Sequence, residues 1–137
     1  MSFILKKGRT KFVYLPVTTS TAITAGTLVT FSSGLLVAAT SSTAAADIVG
    51  VLRHTIASTD TDYATARLVE VQVPTERFTQ WIGSVTSGLV AADIGIEVDL
   101  TDGATVNRGA TSVKAVRCLE VVSTTSGTFL IKFMGAY

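Results

Sequence analysis

Two stretches of this 137-residue chain carry one pattern, and that pattern constrains the fold more tightly than any single residue. The first runs Ala25-Gly26-Thr27-Leu28-Val29-Thr30-Phe31, then Gly34 and Val37. The second runs Ile94-Gly95-Ile96-Glu97-Val98-Asp99-Leu100, then Gly103 and Val106. Aligned without a gap, Gly26 falls on Gly95, Val29 on Val98, Phe31 on Leu100, Gly34 on Gly103 and Val37 on Val106. Each unit reads as a glycine, a short alternating strand, a glycine turn and a second short strand, which is a hairpin signature. No acid, base, thiol or metal ligand recurs in it, so the repeat specifies shape and not chemistry.

Composition points the same way. Threonine is the commonest residue and valine the next, and β-branched side chains suit a pleated, half-buried surface. Charged residues are only 15% of the chain and the net charge is +1. A protein free in solution normally keeps a mixed charged surface. Thin charge therefore means either surface covered by other subunits or a neutral Thr/Ser coat, and composition leaves both open. The single cysteine, Cys118, excludes an internal disulfide, and no Cys/His cluster offers a structural zinc site. The first residues place their apolar piece before the lysines and are too short for a signal peptide. No apolar run reaches the roughly 20 residues that span a bilayer. Cytoplasmic synthesis without export is the expectation.

Residues 1–11 hold Lys6, Lys7, Arg9 and Lys11 and no acid, and are expected to form a basic N-terminal arm ahead of a single β domain over 12–137. Phe12 to Val17 reads as a strand, placed at an edge or a strand end by Pro16. Gly50 inside the Ile48–Arg53 strand marks a bulge or a close backbone approach. Arg67 to Val73 alternates with period two and stops at Pro74. Residues 77–82 fit a helix face (Phe78, Ile82) or a strand face (Phe78, Gln80, Ile82), and Gly83 with the aromatic content favours a strand. Val113–Val122 and Thr128–Met134 close the chain as strands. No window sustains helical periodicity, so the fold class is all-β: one compact barrel-like or sandwich-like domain of many short strands containing two related hairpin units.

Catalytic chemistry is not evident. His54 has no carboxylate or cysteine near it in sequence, and Cys118 sits inside an apolar strand as a small hydrophobe. Asp60 and Asp62 lack the glycine and late glutamate of a calcium loop, so turn-forming Asx hydrogen bonds are expected there. Phosphate-binding glycine loops and a nucleophile elbow are absent. Neutral charge disfavours nucleic-acid binding by the whole domain. The expectation is a non-enzyme with no catalytic, cofactor or metal residues, no membrane association and no specific nucleic-acid partner.

The run Asp93-Ile94-Gly95 through Val98-Asp99-Leu100-Thr101-Asp102-Gly103-Ala104-Thr105-Val106 and Gly109-Ala110-Thr111 resembles the C-terminal half of small decoration, or cement, proteins of tailed-bacteriophage capsids. Ala25-Gly26-Thr27-Leu28-Val29 through Ile48-Val49-Gly50-Val51-Leu52 is similar to their N-terminal half. The likeness covers the chain from about Phe12 onward. It implies a virion structural protein on the capsid exterior, often trimeric, that clamps neighbouring subunits of the major capsid protein. The family has no catalytic residues to carry over. Lys6, Lys7, Arg9 and Lys11 are the candidate partner contacts, because capsid exteriors and neighbouring subunits offer carboxylates; the alternative is a merely solubilising terminus. The alternative is another virion structural role, a tail-tube or head-fibre subunit; a tail-tube protein would be expected to bring a long β-hairpin loop and a ring-forming sheet, and no long loop with such alternation is evident here. A carbohydrate-binding module would favour several exposed aromatics, and Trp81 is the only tryptophan.

Overall fold

The computed structural model describes residues 3–76, 79–86 and 88–134. It is all-β, and the repeat seen in the sequence is a repeat of whole topology. After a short strand β1 (Ile4–Lys7), a first unit contains β2 (Thr10–Pro16), β3 (Leu28–Ser32), β4 (Leu35–Ala38), β5 (Ile48–Leu52) and β6 (Leu68–Pro74). A second unit contains β7 (Thr79–Val85), β8 (Glu97–Asp102), β9 (Thr105–Asn107), β10 (Val116–Ser123) and β11 (Ser126–Ile131). The first unit is ordered β2-β6-β5-β3-β4 across its sheet, and the second β7-β11-β10-β8-β9. These are the same permutation of chain order. Parallel pairing of Ser84 and Val85 with Thr105 and Val106 closes the second unit into a five-strand barrel. The single parallel bridge Val17–Leu36 makes the corresponding closure in the first.

Alternation explains how β3 and β5 serve two cores. Val29, Leu36, Val49, Leu52, Val69 and Val71 fill the first unit, with Val13 and Leu15 packed against them. Leu28, Ile48 and Val51 turn the opposite way and join the core of the second unit, among Trp81, Leu100, Val106 and Phe129. β5 is therefore buried along its whole length. A bulge makes this possible: Val29 pairs with Gly50 and Thr30 with Ile48, leaving Val49 as the extra residue. Gly50 also meets the close-approach expectation, because a Cβ there would lie 2.5 Å from the Gln72 carbonyl oxygen.

The hairpins agree with the repeat in their first strands and part in their second. Gly26 and Gly95 open the two hairpins with φ of 89° and 87°, a backbone that favours glycine. Phe31 pairs with Leu36, whereas Leu100 pairs with Val106. A register shift between Leu100 and Asp102 inserts a residue, so Val106 is the counterpart of Leu36 and not of Val37. Burial follows: Leu36 and Val106 are fully buried, while Val37 is only half-buried.

Residues 3–11 are extended, but they belong to the body. Ile4–Lys7 pairs antiparallel with β7, Phe3 is 1% exposed, and Thr10 and Lys11 already lie in β2. The boundary expected between an arm and a domain at residues 11 and 12 thus falls inside a strand. The reason is apolar: Phe3 and Leu5 have core positions to fill, which the count of lysines conceals. Thr79–Val85 is a strand, as favoured for that segment; Arg77 and Phe78 lie outside the described residues.

Candidate interaction surface

The expected contact residues are placed along β1 and the start of β2. Lys6 reaches across the sheet to Glu120 at 2.8 Å and holds that carboxyl below its usual range, chiefly through the hydrogen bond itself. Arg9 donates its backbone amide to Glu76, and its carbonyl accepts from Thr75. Lys7, Arg9 and Lys11 are exposed, and no carboxylate among the described residues forms an ion pair with their side chains.

β2 presents a second feature that the cluster of charges does not announce. Val13 and Leu15 face the first core, so Phe12 and Tyr14 face outward, where they are 54% and 64% exposed. Their cross-strand partners on β6 are Gln72 and Glu70, and Leu68 beyond them is 64% exposed. The Arg53 guanidinium lies 5.7 Å from the Phe12 ring centroid, a cation–π distance, and Tyr14 donates its hydroxyl to Glu70 at 3.3 Å. This face borders a groove of about 380 Å³ that also receives His54 and Arg67. The alternation of 12, 14 and 16 was legible in the sequence; that no described residue covers that face was not.

The loop 53–67 forms one wall of the groove and belongs to the first unit alone. The second unit makes the equivalent connection, β10 to β11, with the turn at Thr124-Thr125. Arg67 organises the loop by donating to Asp60 at 2.8 Å and to Asp62. Asp60 also accepts the Ala57 amide at 3.0 Å, a turn bond that runs three residues back and not the two-residue-forward Asx bond expected there. That amide, followed by Arg67, holds Asp60 below the ordinary carboxylate range. The two carboxylates expected in a turn therefore share a guanidinium.

Other titratable groups serve the fold. Asp93 accepts two hydrogen bonds from Arg108, at 2.9 and 3.0 Å, and a third from the Val90 amide. Asp99, nearly buried, accepts the amides of Ser112, Val113 and Lys114. Cys118 is buried, which pushes its thiol up. Among the described residues no three His, Cys, Asp or Glu side chains converge on a metal-sized point. Trp81 is 0% exposed and packs on Phe133 at 5.5 Å, so it offers no ring to a ligand. No helix is long and apolar enough to cross a membrane.

No family model matches the chain, no curated protein matches its sequence, and no solved structure matches it.

Proposed function

We propose that the chain is a structural subunit that decorates the outside of an assembled phage capsid and stabilises it by bridging subunits of the major capsid protein. The observation that carries the reading is the uncovered face of β2 and β6. Phe12, Tyr14 and Leu68 stand more than half exposed on one sheet surface, with Arg53 beside them. Aromatic and arginine side chains grouped in this way are the residues that dominate binding energy at protein interfaces. The low charge of the chain and its resemblance to capsid decoration proteins agree with a surface that is finished by neighbours.

In this reading the protein sits on the virion exterior and needs no cofactor. Copies grouped as trimers would place three such faces around one lattice position. Lys7, Arg9 and Lys11 would meet carboxylates at the rim, where charge governs the rate and salt dependence of docking.

The test looks for a major capsid protein gene beside its own and mixes the purified protein with capsid shells assembled from that gene's product. Co-sedimentation is expected, together with density on the outer surface in images of the particles. Shells that stay bare at saturating protein, or density confined to a tail, would overturn the reading.

A further inference from the structure

The two units share a topology but not a strand count, and the difference marks a vacant position. In the second unit, β7 has β11 along one side. Its other side is divided between β1, at Gln80, Trp81 and Ile82, and β9, at Ser84 and Val85. In the first unit, β2 has β6 along one side from Thr10 to Pro16. Its other side meets β4 only at Val17. The stretch Phe12–Tyr14 corresponds to Gln80–Ile82, the part of β7 that β1 covers, and it and the preceding Thr10 and Lys11 have no strand on that side among the described residues.

The filled slot shows what a strand there has to satisfy. β1 runs antiparallel, turns Phe3 and Leu5 inward to the core, and sends Lys6 over the outer face to Glu120. Glu120 lies opposite Thr128, which lies opposite Ile82. In the first unit the same walk runs from Tyr14 to Glu70 and on to Arg53, whose amide donates to the Glu70 carbonyl. Arg53 thus stands where Glu120 stands, with the opposite charge. Lys11 shares the face of Val13 and Leu15 and so does not join Arg53 there, which leaves Arg53 as the cation of this walk. Glu70 is the one acid on this path, and the Tyr14 hydroxyl engages it.

We propose that the open edge of β2 takes an antiparallel strand from a neighbouring protein chain, one that carries a carboxylate where β1 carries Lys6. Main-chain hydrogen bonds along Thr10–Tyr14 supply the affinity, as in other strand additions, and the meeting of that carboxylate with Arg53 selects the sequence. Phe12 and Tyr14 would flank the added side chains on the outer face and lose their exposure to water. Until it is filled, the edge carries Lys11 and Pro16, residues that discourage indiscriminate pairing. The proposal deepens the assembly reading above and rests on it only for the identity of the neighbour.

The probes are two extended peptides of alternating valine and threonine, differing in one central residue, glutamate or lysine. Amide hydrogen exchange of the intact protein is measured with each. The glutamate peptide is expected to slow the outward amides of residues 10–14 and to bind about fivefold more tightly than the lysine peptide. Arg53→Glu, at an exposed site, is expected to reverse that preference without altering the fold. Three results would overturn the proposal: no slowing with either peptide, a preference that Arg53→Glu leaves in place, or slowing that grows with protein concentration alone, which would assign the edge to a second copy. Capsid co-sedimentation is read separately. Bare shells with intact peptide binding would sink the capsid reading and leave the edge assignment standing; decorated shells without peptide binding would do the reverse.

Discussion

The carbonyl of Gly103 accepts a 2.7 Å hydrogen bond from the Leu28 amide, and through it the tip of the second hairpin plugs into the first unit. A Cβ at Gly103 would lie 2.5 Å from the Thr27 methyl and 2.8 Å from the Leu28 carbonyl oxygen. The residue aligned with it, Gly34, has nothing within 4 Å of its Cβ position. With Ser33 it forms a solvent-exposed turn whose two central φ values, 52° and 83°, are both positive, as a type I′ turn requires. Gly103→Ala is expected to cost about 1–3 kcal/mol, because backbone has to shift. Gly34→Ala is expected to cost about 1 kcal/mol from strained φ alone. Urea denaturation of the two variants checks the order, and a larger loss at Gly34 would refute the docking role of Gly103.

Phe3 lies over Gly83 so closely that a Cβ on the glycine would stand 2.4 Å from the ring. The ring is 1% exposed. Phe3→Ala is expected to cost about 3–5 kcal/mol, the range for a buried aromatic. A dispensable arm would tolerate the change within about 0.5 kcal/mol, as surface sites do. Thermal unfolding separates the two outcomes. It also follows that removing residues 1–11 cannot isolate the role of the lysines, because the deletion takes Phe3, β1 and the start of β2 with them.

The sequence revealed the hairpins and most strands because alternation and glycine are local signals. Leu35–Ala38 and the strand ending at Pro74 lie where the pattern puts them. What it concealed depends on distant partners. The doubling of the whole five-strand unit was hidden by the loop 53–67, which pushes β6 out of step with β11. The inserted residue between Leu100 and Asp102 shifted the second strand of the repeat by one position. Asp99 looked like one more scattered acid, yet it collects three amides from the segment 112–114. At the candidate surface, the cations were visible as a cluster. The aromatic face beside them was visible only as a strand face, since exposure is decided by what fails to pack over it.

Acid stability depends on carboxylates held by partners both near and far in sequence. The Arg108 fork and the Val90 amide hold Asp93 below the usual carboxylate value, and Lys6 and the Ala57 amide do the same for Glu120 and Asp60. Between folded and unfolded values the unfolded chain binds more protons, so stability rises with pH there. The contribution is complete above the unfolded value of about 4 and is lost as pH falls through the folded values. Asp93→Asn is expected to cost about 1–2 kcal/mol at neutral pH by weakening charged hydrogen bonds. It is also expected to flatten the acid limb of a stability–pH curve. A limb parallel to that of the unsubstituted protein would show that Asp93 contributes nothing to it.

Among the described residues Arg67 is the cation that pairs with both Asp60 and Asp62, so its removal leaves two neighbouring carboxylates without their ion-pair partner. Arg67→Met is expected to loosen the loop 53–67 while leaving the unfolding midpoint of the barrel cores nearly unchanged, because loop residues unfold locally at lower cost than the core. Limited proteolysis reads this directly. Faster cleavage is expected within residues 57–66, and raising salt is expected to mimic it only weakly, because the pairs are partly buried. Unchanged cleavage would show that the Asp60 bond to the Ala57 amide suffices to hold the loop.

Tyr14 and Leu68 offer the sharpest separation of binding from folding. Tyr14 is 64% exposed, its ring makes no contribution to either buried cluster, and its hydroxyl bonds only to a surface carboxylate. Leu68 is equally exposed at the head of β6. Replacing both with serine removes apolar surface from water in the free protein, so stability is expected to stay within about 0.5 kcal/mol of the original. If the face is the anchor of a capsid contact, the same change removes two central apolar groups from an interface, each worth about 1–2 kcal/mol when fully desolvated. Capsid affinity is then expected to fall by about a hundredfold. The serine pair thus predicts unchanged unfolding with lost decoration. Full decoration by the double variant would move the contact to another surface, whereas lost stability would show that the face is part of the fold.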